Sequence, residues 1–304
     1  MYRRWGLIFV LLGSALQAKI PRHLVLQSPS YIGGAGMFHN FNIVLGCLEM
    51  YDKQEHLALT IDFGKEGLYY DSAHGPNWWS YYFVASHYPF KEKVGARKAL
   101  VKYFSDAEKG DIGNRAHFLM ERQKAYGLIQ KYIQIKPQLL EEVDAFARQH
   151  FQGKIVIGIH YRSTDKWLEA PFVSYQEVRL ALEKALQKYE GQAVCIFVAT
   201  DEVSFLEDMK KHYCICYTKA QRLDGAPIHY ASQEGYLKGK EALIDCLLLA
   251  KSSTLIRTNS NLSAVAAYFN PEAEVINLNT VYPHLYQGLQ IESQVNELNK
   301  KTKL

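Results

Sequence analysis

The chain of 304 residues carries 35 Lys and Arg against 31 Asp and Glu, a formal net charge of +4. Without Arg3 and Arg4, which lie in an N-terminal segment of targeting type, the balance is 4 − 2 = +2. No run of five basic residues occurs, which argues against a nucleic-acid groove. A hydrophobic share of 48% with 22% charge excludes a disordered chain, and the length suits two domains or one large α/β unit.

The N-terminus has the layout of a secretory signal. Arg3 and Arg4 form a basic start, Trp5 to Leu12 an apolar run, and Gly13, Ser14, Ala15 and Ala18 supply small residues where a peptidase could cut. That run is too short for an ordinary membrane span of ~20 residues. Residues 1–18 are therefore expected to be a signal peptide or a short anchor, placing the protein in the secretory pathway or otherwise outside the cytoplasm. No other stretch holds 18 apolar residues, so no further integral span is expected.

Residues 22–28 (RHLVLQS) read as a strand, followed by a glycine-rich loop at 29–37. Phe38, Phe41, Leu45 and Leu48 then recur at helical spacing, and 56–62 alternates as a second strand. The stretch 63–94, rich in Gly, Tyr and Trp, has no clean period and predicts loops with short pieces. Helices are expected over 115–133 and 137–151. The β-branched run 154–160 (KIVIGIH) has the character of a buried parallel strand.

From there strands and helices alternate regularly. Ser174 is placed to cap a helix running to Tyr189. Strands follow at 193–200, 213–218, 254–258 and 274–278, with helices at 202–212, 236–251 and 260–269. This order predicts an α/β protein with doubly wound, mainly parallel sheets. The expected organisation is an N-terminal domain over 19–153, a second domain over 154–283, and a polar tail over 284–304. Of the five cysteines (Cys47, Cys195, Cys214, Cys216, Cys246), four sit inside apolar runs and fit buried, reduced thiols packing as small hydrophobes, and no zinc spacing accompanies them.

In such sheets ligands bind outside the carboxyl ends of the strands, and three strand ends carry unusual residues. The first is His160-Tyr161-Arg162-Ser163-Thr164-Asp165-Lys166, which joins a planar guanidinium and a point charge to a carboxylate. The second is Ala199-Thr200-Asp201-Glu202, whose acids could accept from a base or ribose, or simply serve the next helix start. The third is Thr258-Asn259-Ser260, a strand-to-helix turn with the makings of an anion site. Asp245, preceded by Glu241 on the helix 236–251, is an acid amid Leu and Ile. Gly33-Gly34-Ala35-Gly36 fails the dinucleotide fingerprint, because His39 stands at the third glycine position, and this disfavours a nucleotide-dependent oxidoreductase.

Together these segments resemble the α1,6-fucosyltransferases and protein O-fucosyltransferases, GT-B-like, inverting, metal-independent enzymes that use GDP-fucose. The family signature His-x-Arg-Arg-Thr-Asp-Lys appears as His160, Arg162, Thr164, Asp165 and Lys166. The Ala-Thr-Asp-Asp strand end appears as Ala199 to Glu202, and the Asp and Thr-x-Ser elements as Asp245, Thr258 and Ser260.

The resemblance implies two Rossmann-like domains and transfer of fucose from GDP-fucose to a glycan or glycoprotein. It implies Arg162 on the donor diphosphate with His160 beside it, and Asp201 lining the donor pocket. Asp245 would read the guanine edge, Thr258 and Ser260 would bind phosphate, and Lys166 would sit by the reacting centre. It implies no metal or other cofactor. Two departures stand out: Ser163 replaces the second Arg, and Ala170 occupies the place of a family Glu, leaving Glu169 as the candidate base. They motivate a second reading, a nucleotide- or glycan-binding protein of the same fold without catalysis. The ring-rich segment with Trp78, Trp79, Tyr81, Tyr82 and Phe83 could form an acceptor face or domain core.

Overall fold

The structure, a computed structural model, describes residues 22–27, 36–65, 67–91, 100–103 (main chain only), 120–163, 170–224 and 234–282. The targeting segment, Gly33, Gly34, Ala35, Lys166, Glu169 and the tail lie outside the described residues.

Nine strands make two sheets among these residues. β1 (Arg22–Gln27) lies between β2 (Leu57–Asp62) and β4 (Leu100–Tyr103), parallel to both, and the two-residue β3 (His87–Tyr88) pairs antiparallel on the outer edge of β2. The second sheet has the order β7-β6-β5-β8-β9 and is wholly parallel. Its strands are β5 (Ile155–Tyr161), β6 (Val194–Thr200), β7 (Ile215–Cys216), β8 (Thr254–Arg257) and β9 (Glu274–Asn277). The chain enters at the centre with β5, moves outward to β7, then returns to the other side of β5 with β8. The direction of winding thus reverses between β5 and β8, which is where a crevice opens in a doubly wound sheet.

Seven helices flank these sheets in the described residues: α1 (Met37–Lys53), α2 (Arg122–Tyr132), α3 (Pro137–His150), α4 (Tyr175–Lys188), α5 (Val203–His212), α6 (Gly235–Ala250) and α7 (Asn261–Phe269). The Phe38–Phe41–Leu45–Leu48 stripe lies on α1, but Ile43, Val44, Cys47 and even Asn40 and Asn42 are buried too. The helix is covered nearly all round because it packs on β2, α2 and α7 at once. Ser174 caps α4 as expected: its hydroxyl accepts from the Glu177 amide, and Glu177 reaches back to the Ser174 amide in a capping box.

One alternative is decided and two expectations change. The ring-rich segment is core, as one of its two readings had it: Trp78, Trp79 and Tyr82 are fully buried, Trp78 stacks on Phe63, and Trp79 on Phe83. The segment adopts two short 3-10 turns, Ser72–His74 and Trp78–Tyr81, capped by Asp71 and Asn77. The strand expected over 213–218 shrinks to two residues at the sheet edge, and β4 arises in a stretch without any apolar period. Finally, only Cys47, Cys195 and Cys246 are buried; Cys214 is exposed and Cys216 half-buried.

Two glycines of α6 set how closely that helix meets the first half of the chain. A Cβ on Gly235 would fall 2.4 Å from the Tyr70 carbonyl oxygen, and one on Gly239 would fall 2.3 Å from the Tyr82 hydroxyl. The Tyr82 hydroxyl in turn donates to the Tyr236 carbonyl at 2.9 Å. No helix among the described residues is long and apolar enough to cross a membrane.

Candidate active site

β5, β6 and β8 end side by side, and their last residues are tied together across the point of reversal. The Arg162 amide donates to Thr258 Oγ1 at 3.0 Å, the Thr258 hydroxyl donates back to the Arg162 carbonyl at 3.2 Å, and the Thr258 amide donates to the His160 carbonyl at 3.1 Å. His160 is itself buried. These bonds continue the β5–β8 ladder by one residue and fix where the Arg162 side chain departs. Its Nε lies 3.7 Å from Asp201 Oδ2, an ion pair longer than a hydrogen bond. The Arg162 side chain is 20% exposed, against 8% for that of Asp201.

The next residue after Asp201, Glu202, faces the other way and serves the β5 exit. Its Oε1 accepts from the Ser163 amide at 2.8 Å and the Ser163 hydroxyl at 2.7 Å, and Oε2 accepts from Tyr175 at 3.3 Å. Glu202 is the N-cap residue of α5 but makes no side-chain capping bond there. The simple capping role open to Thr200 and Asp201 is thus not what the structure shows. Thr200 Oγ1 instead accepts from the Glu202 amide at 3.2 Å.

The α7 start meets the same place. Ser260 is its N-cap, with Oγ accepting from the Leu262 amide at 3.3 Å. An accepting hydroxyl still has its own proton to donate to a ligand. Ser263 and Arg257 bond back to the Ser260 carbonyl, so the turn is well braced. Across the crevice, Asn42 of α1 donates to Asn261 Oδ1 at 3.0 Å, and the Met37 amide at the start of α1 donates to the Tyr69 hydroxyl at 2.8 Å. Burial pushes the Tyr69 phenol up, while the Met37 amide and the Arg162 guanidinium act against it. Tyr69 therefore lies within electrostatic reach of Arg162. The start of α1, Tyr69 and Arg162 are thus neighbours, and Asn42 ties α1 to the start of α7, a concentration of positive partial charge.

Asp245 closes the other end. It is buried on α6, and Thr218, just past β7, donates to its Oδ1 at 2.7 Å. Burial pushes its carboxyl up to about 6, against the opposing pull of Thr218 and the Arg222 guanidinium. Arg222 Nη1 donates to the carbonyls of Thr218 and Ala220 at 3.0 and 2.6 Å, while its Nε and Nη2 make no hydrogen bond among the described residues. Leu223 then donates its amide to the Asp201 carbonyl at 2.8 Å. A continuous path of contacts thus runs from Asp245 through Thr218 and Leu223 to Asp201, Arg162 and Thr258.

Of the expected residues that the structure describes, His160, Arg162, Asp201, Thr258 and Ser260 lie together at the ends of β5, β6 and β8, while Asp245 is joined to them only through the segment from Thr218 to Leu223. Lys166 and Glu169 fall outside the described residues. Sequence reasoning missed Thr218, the last residue of an expected strand, missed Arg222 and Tyr69, which lie in stretches without a period, and missed that Glu202 clamps Ser163. Adjacent acids at a strand end were the available signal for Glu202. Among the described residues no group of three or more His, Cys, Asp or Glu side chains is placed to hold a metal ion.

Comparison with known proteins bears on the family and the fold. The chain is 27% identical over 222 residues to Nodulation protein Z of Bradyrhizobium diazoefficiens, a match covering 67% of this chain and 60% of that protein. The chain thus spans about 60% of the length of this curated relative. Among solved structures, it is similar to fucosyltransferase NodZ from Bradyrhizobium, with TM-score 0.56 and 17% identity over 86% of this chain and 98% of that one. It is also similar to a mutant of Arabidopsis thaliana FUT1 in complex with GDP, with TM-score 0.51 and 12% identity over 84% and 70% of the two chains. The fold is thus α/β and GT-B-like. The family model described as Nodulation protein Z (NodZ) matches residues 61–294, well over half of the sequence, and the chain belongs to that family.

Proposed function

We propose that the protein is an inverting, metal-independent glycosyltransferase that moves fucose from GDP-fucose to a glycan or glycoprotein hydroxyl. The observation that carries this reading is the convergence of Arg162, Asp201, Thr258 and the α7 start on the crevice where β5 and β8 part. A structure of NodZ α-1,6-fucosyltransferase soaked with GDP-fucose, which shares this fold, supports the choice of donor.

In this reading the acceptor oxygen attacks the anomeric carbon from the side opposite the diphosphate. The bond from that carbon to the diphosphate oxygen breaks, and charge grows on the leaving group. Arg162 and the α7 N-terminus stabilise that charge, joined by Lys166, so that cationic groups of the chain do what a divalent ion does elsewhere. Glu169 takes the acceptor proton. Asp245 accepts from the guanine edge at the far end, with Thr218 and Arg222 holding its carboxylate, while His160 and Asp201 hold Arg162 in place. Residues 19–153 would form the acceptor side and 154–283 the donor side, with residues 1–18 directing the protein out of the cytoplasm.

The test is a donor screen over GDP- and UDP-sugars with product detection, run on wild type and Arg162→Lys. Lysine keeps a charge beside Asp201 but loses the planar fork that grips a diphosphate. Turnover of GDP-fucose that falls at least tenfold in the variant supports the reading. A protein that binds GDP but turns over no donor would instead be the non-catalytic binding protein.

A further inference from the structure

Three of the five thiols gather at the edge of the parallel sheet, away from the β-strand ends that form the crevice. Cys195 is the second residue of β6, Cys216 the last of β7, and Cys214 the second residue before it. The Cys195 and Cys216 sulfurs lie 2.9 Å apart, inside ordinary contact for two sulfur atoms. Cys195 is buried and Cys216 half-buried, while Cys214 is exposed and makes no such approach among the described residues. A disulfide needs sulfurs about 2.05 Å apart, so closure requires a shift of less than an ångström. The strand that must move is well suited to it. β7 is two residues long, lies at the sheet edge, and pairs only with β6 among the described residues.

We propose that Cys195 and Cys216 form a thiol–disulfide site that latches β7 to β6. The oxidant is the disulfide of a low-molecular-weight thiol. Cys216, the more exposed of the pair, attacks one sulfur of that disulfide and expels a thiolate, giving a mixed disulfide. Cys195 then attacks the Cys216 sulfur and expels the second thiolate. The two protons released by the cysteines convert both leaving groups to thiols, and the two electrons lost by the cysteines reduce the oxidant.

The latch bears on the segment just beyond β7. That strand runs directly into residues 217–223, which bring Thr218 to Asp245 and Leu223 to the Asp201 carbonyl. Closing the bond ties the segment from Cys195 to Cys216 into a loop, removes freedom from the unfolded chain, and fixes the start of the Thr218–Leu223 segment. The site needs no assumption about what the crevice binds.

The experiment equilibrates the purified full chain with oxidised and reduced glutathione over a range of ratios, then counts thiols after denaturation and maps peptides without reduction. The expected result is a fall from five free thiols to three, a linked peptide joining Cys195 to Cys216, and a melting temperature about 5 °C above that of the reduced protein. Cys214→Ser should behave identically, and Cys216→Ser should abolish both the link and the shift. Five free thiols at the most oxidising ratio would overturn the proposal. So would a link made through Cys214, or a correct link without a rise in melting temperature.

Discussion

Ser163 gives both its amide and its hydroxyl to one oxygen of Glu202, at 2.8 and 2.7 Å. Glu202, on the next strand end, thereby holds the residue that directly follows Arg162. Hydrogen bonds to a charged acceptor are worth about 1.5–3 kcal/mol each, enough to hold the main chain on which Arg162 sits.

Glu202→Ala should therefore weaken GDP binding roughly tenfold, about 1.4 kcal/mol. Glu202→Gln, which keeps an acceptor oxygen, should retain most of the affinity. Calorimetric titration of GDP into both variants checks this, and equal losses would count against the clamp.

Asp245 gives a pH signature whose sign is fixed by its burial. A carboxyl raised to about 6 when folded, against about 3.9 when unfolded, binds more protons folded than unfolded across that window. Stability then falls as pH rises from about 4 to 6, by an amount on the order of 2–3 kcal/mol, and is level beyond it. Asp245→Asn keeps an acceptor for Thr218 without the buried charge. It should melt higher than wild type at about pH 7.5 yet lose GDP affinity. In wild type, GDP affinity should itself decline below about pH 6 as the carboxyl takes its proton. Differential scanning fluorimetry from about pH 4.5 to 8, with and without GDP, reads both effects.

The seam between α6 and the tyrosine-rich segment leaves no room for side chains. A Cβ on Gly235 would meet main-chain atoms of Tyr69 and Tyr70 under 3.0 Å away, so Gly235→Ala should cost about 1–3 kcal/mol. Gly127, inside α2 with nothing within 4 Å of a built Cβ, is the control. Gly127→Ala should stabilise by about 0.4–1 kcal/mol. Urea melts of the two variants should move in opposite directions.

Much of this protein was legible in its sequence, for identifiable reasons. β5 and β6 are buried on both faces, so their β-branched runs declared them. Ser174 and Ser260 announced α4 and α7 because a side-chain oxygen at a helix start does one recognisable job. The strand ends exposed Arg162, Asp201 and Thr258 because polar residues directly after apolar strands need a reason. What stayed hidden depends on tertiary partners. Trp78 and Trp79 read equally as a sugar platform or as core, and only their packing on Phe63 and Phe83 decides for core. Trp78→Ala should accordingly cost about 3–5 kcal/mol of stability and should not act as an acceptor-affinity mutation. Thr218 ends an expected strand and Arg222 lies just beyond it, and nothing local ties either to Asp245, more than twenty residues along the chain.

The most direct measurement is a calorimetric titration of GDP into wild type and Arg162→Lys, with the melting temperature of each recorded alongside. Saturable binding by wild type, weakened at least tenfold in the variant while the melting temperatures stay within about 2 °C, is the expected result. Equal affinities for the two proteins, or no binding by wild type, would show that the crevice between β5 and β8 is not the diphosphate site.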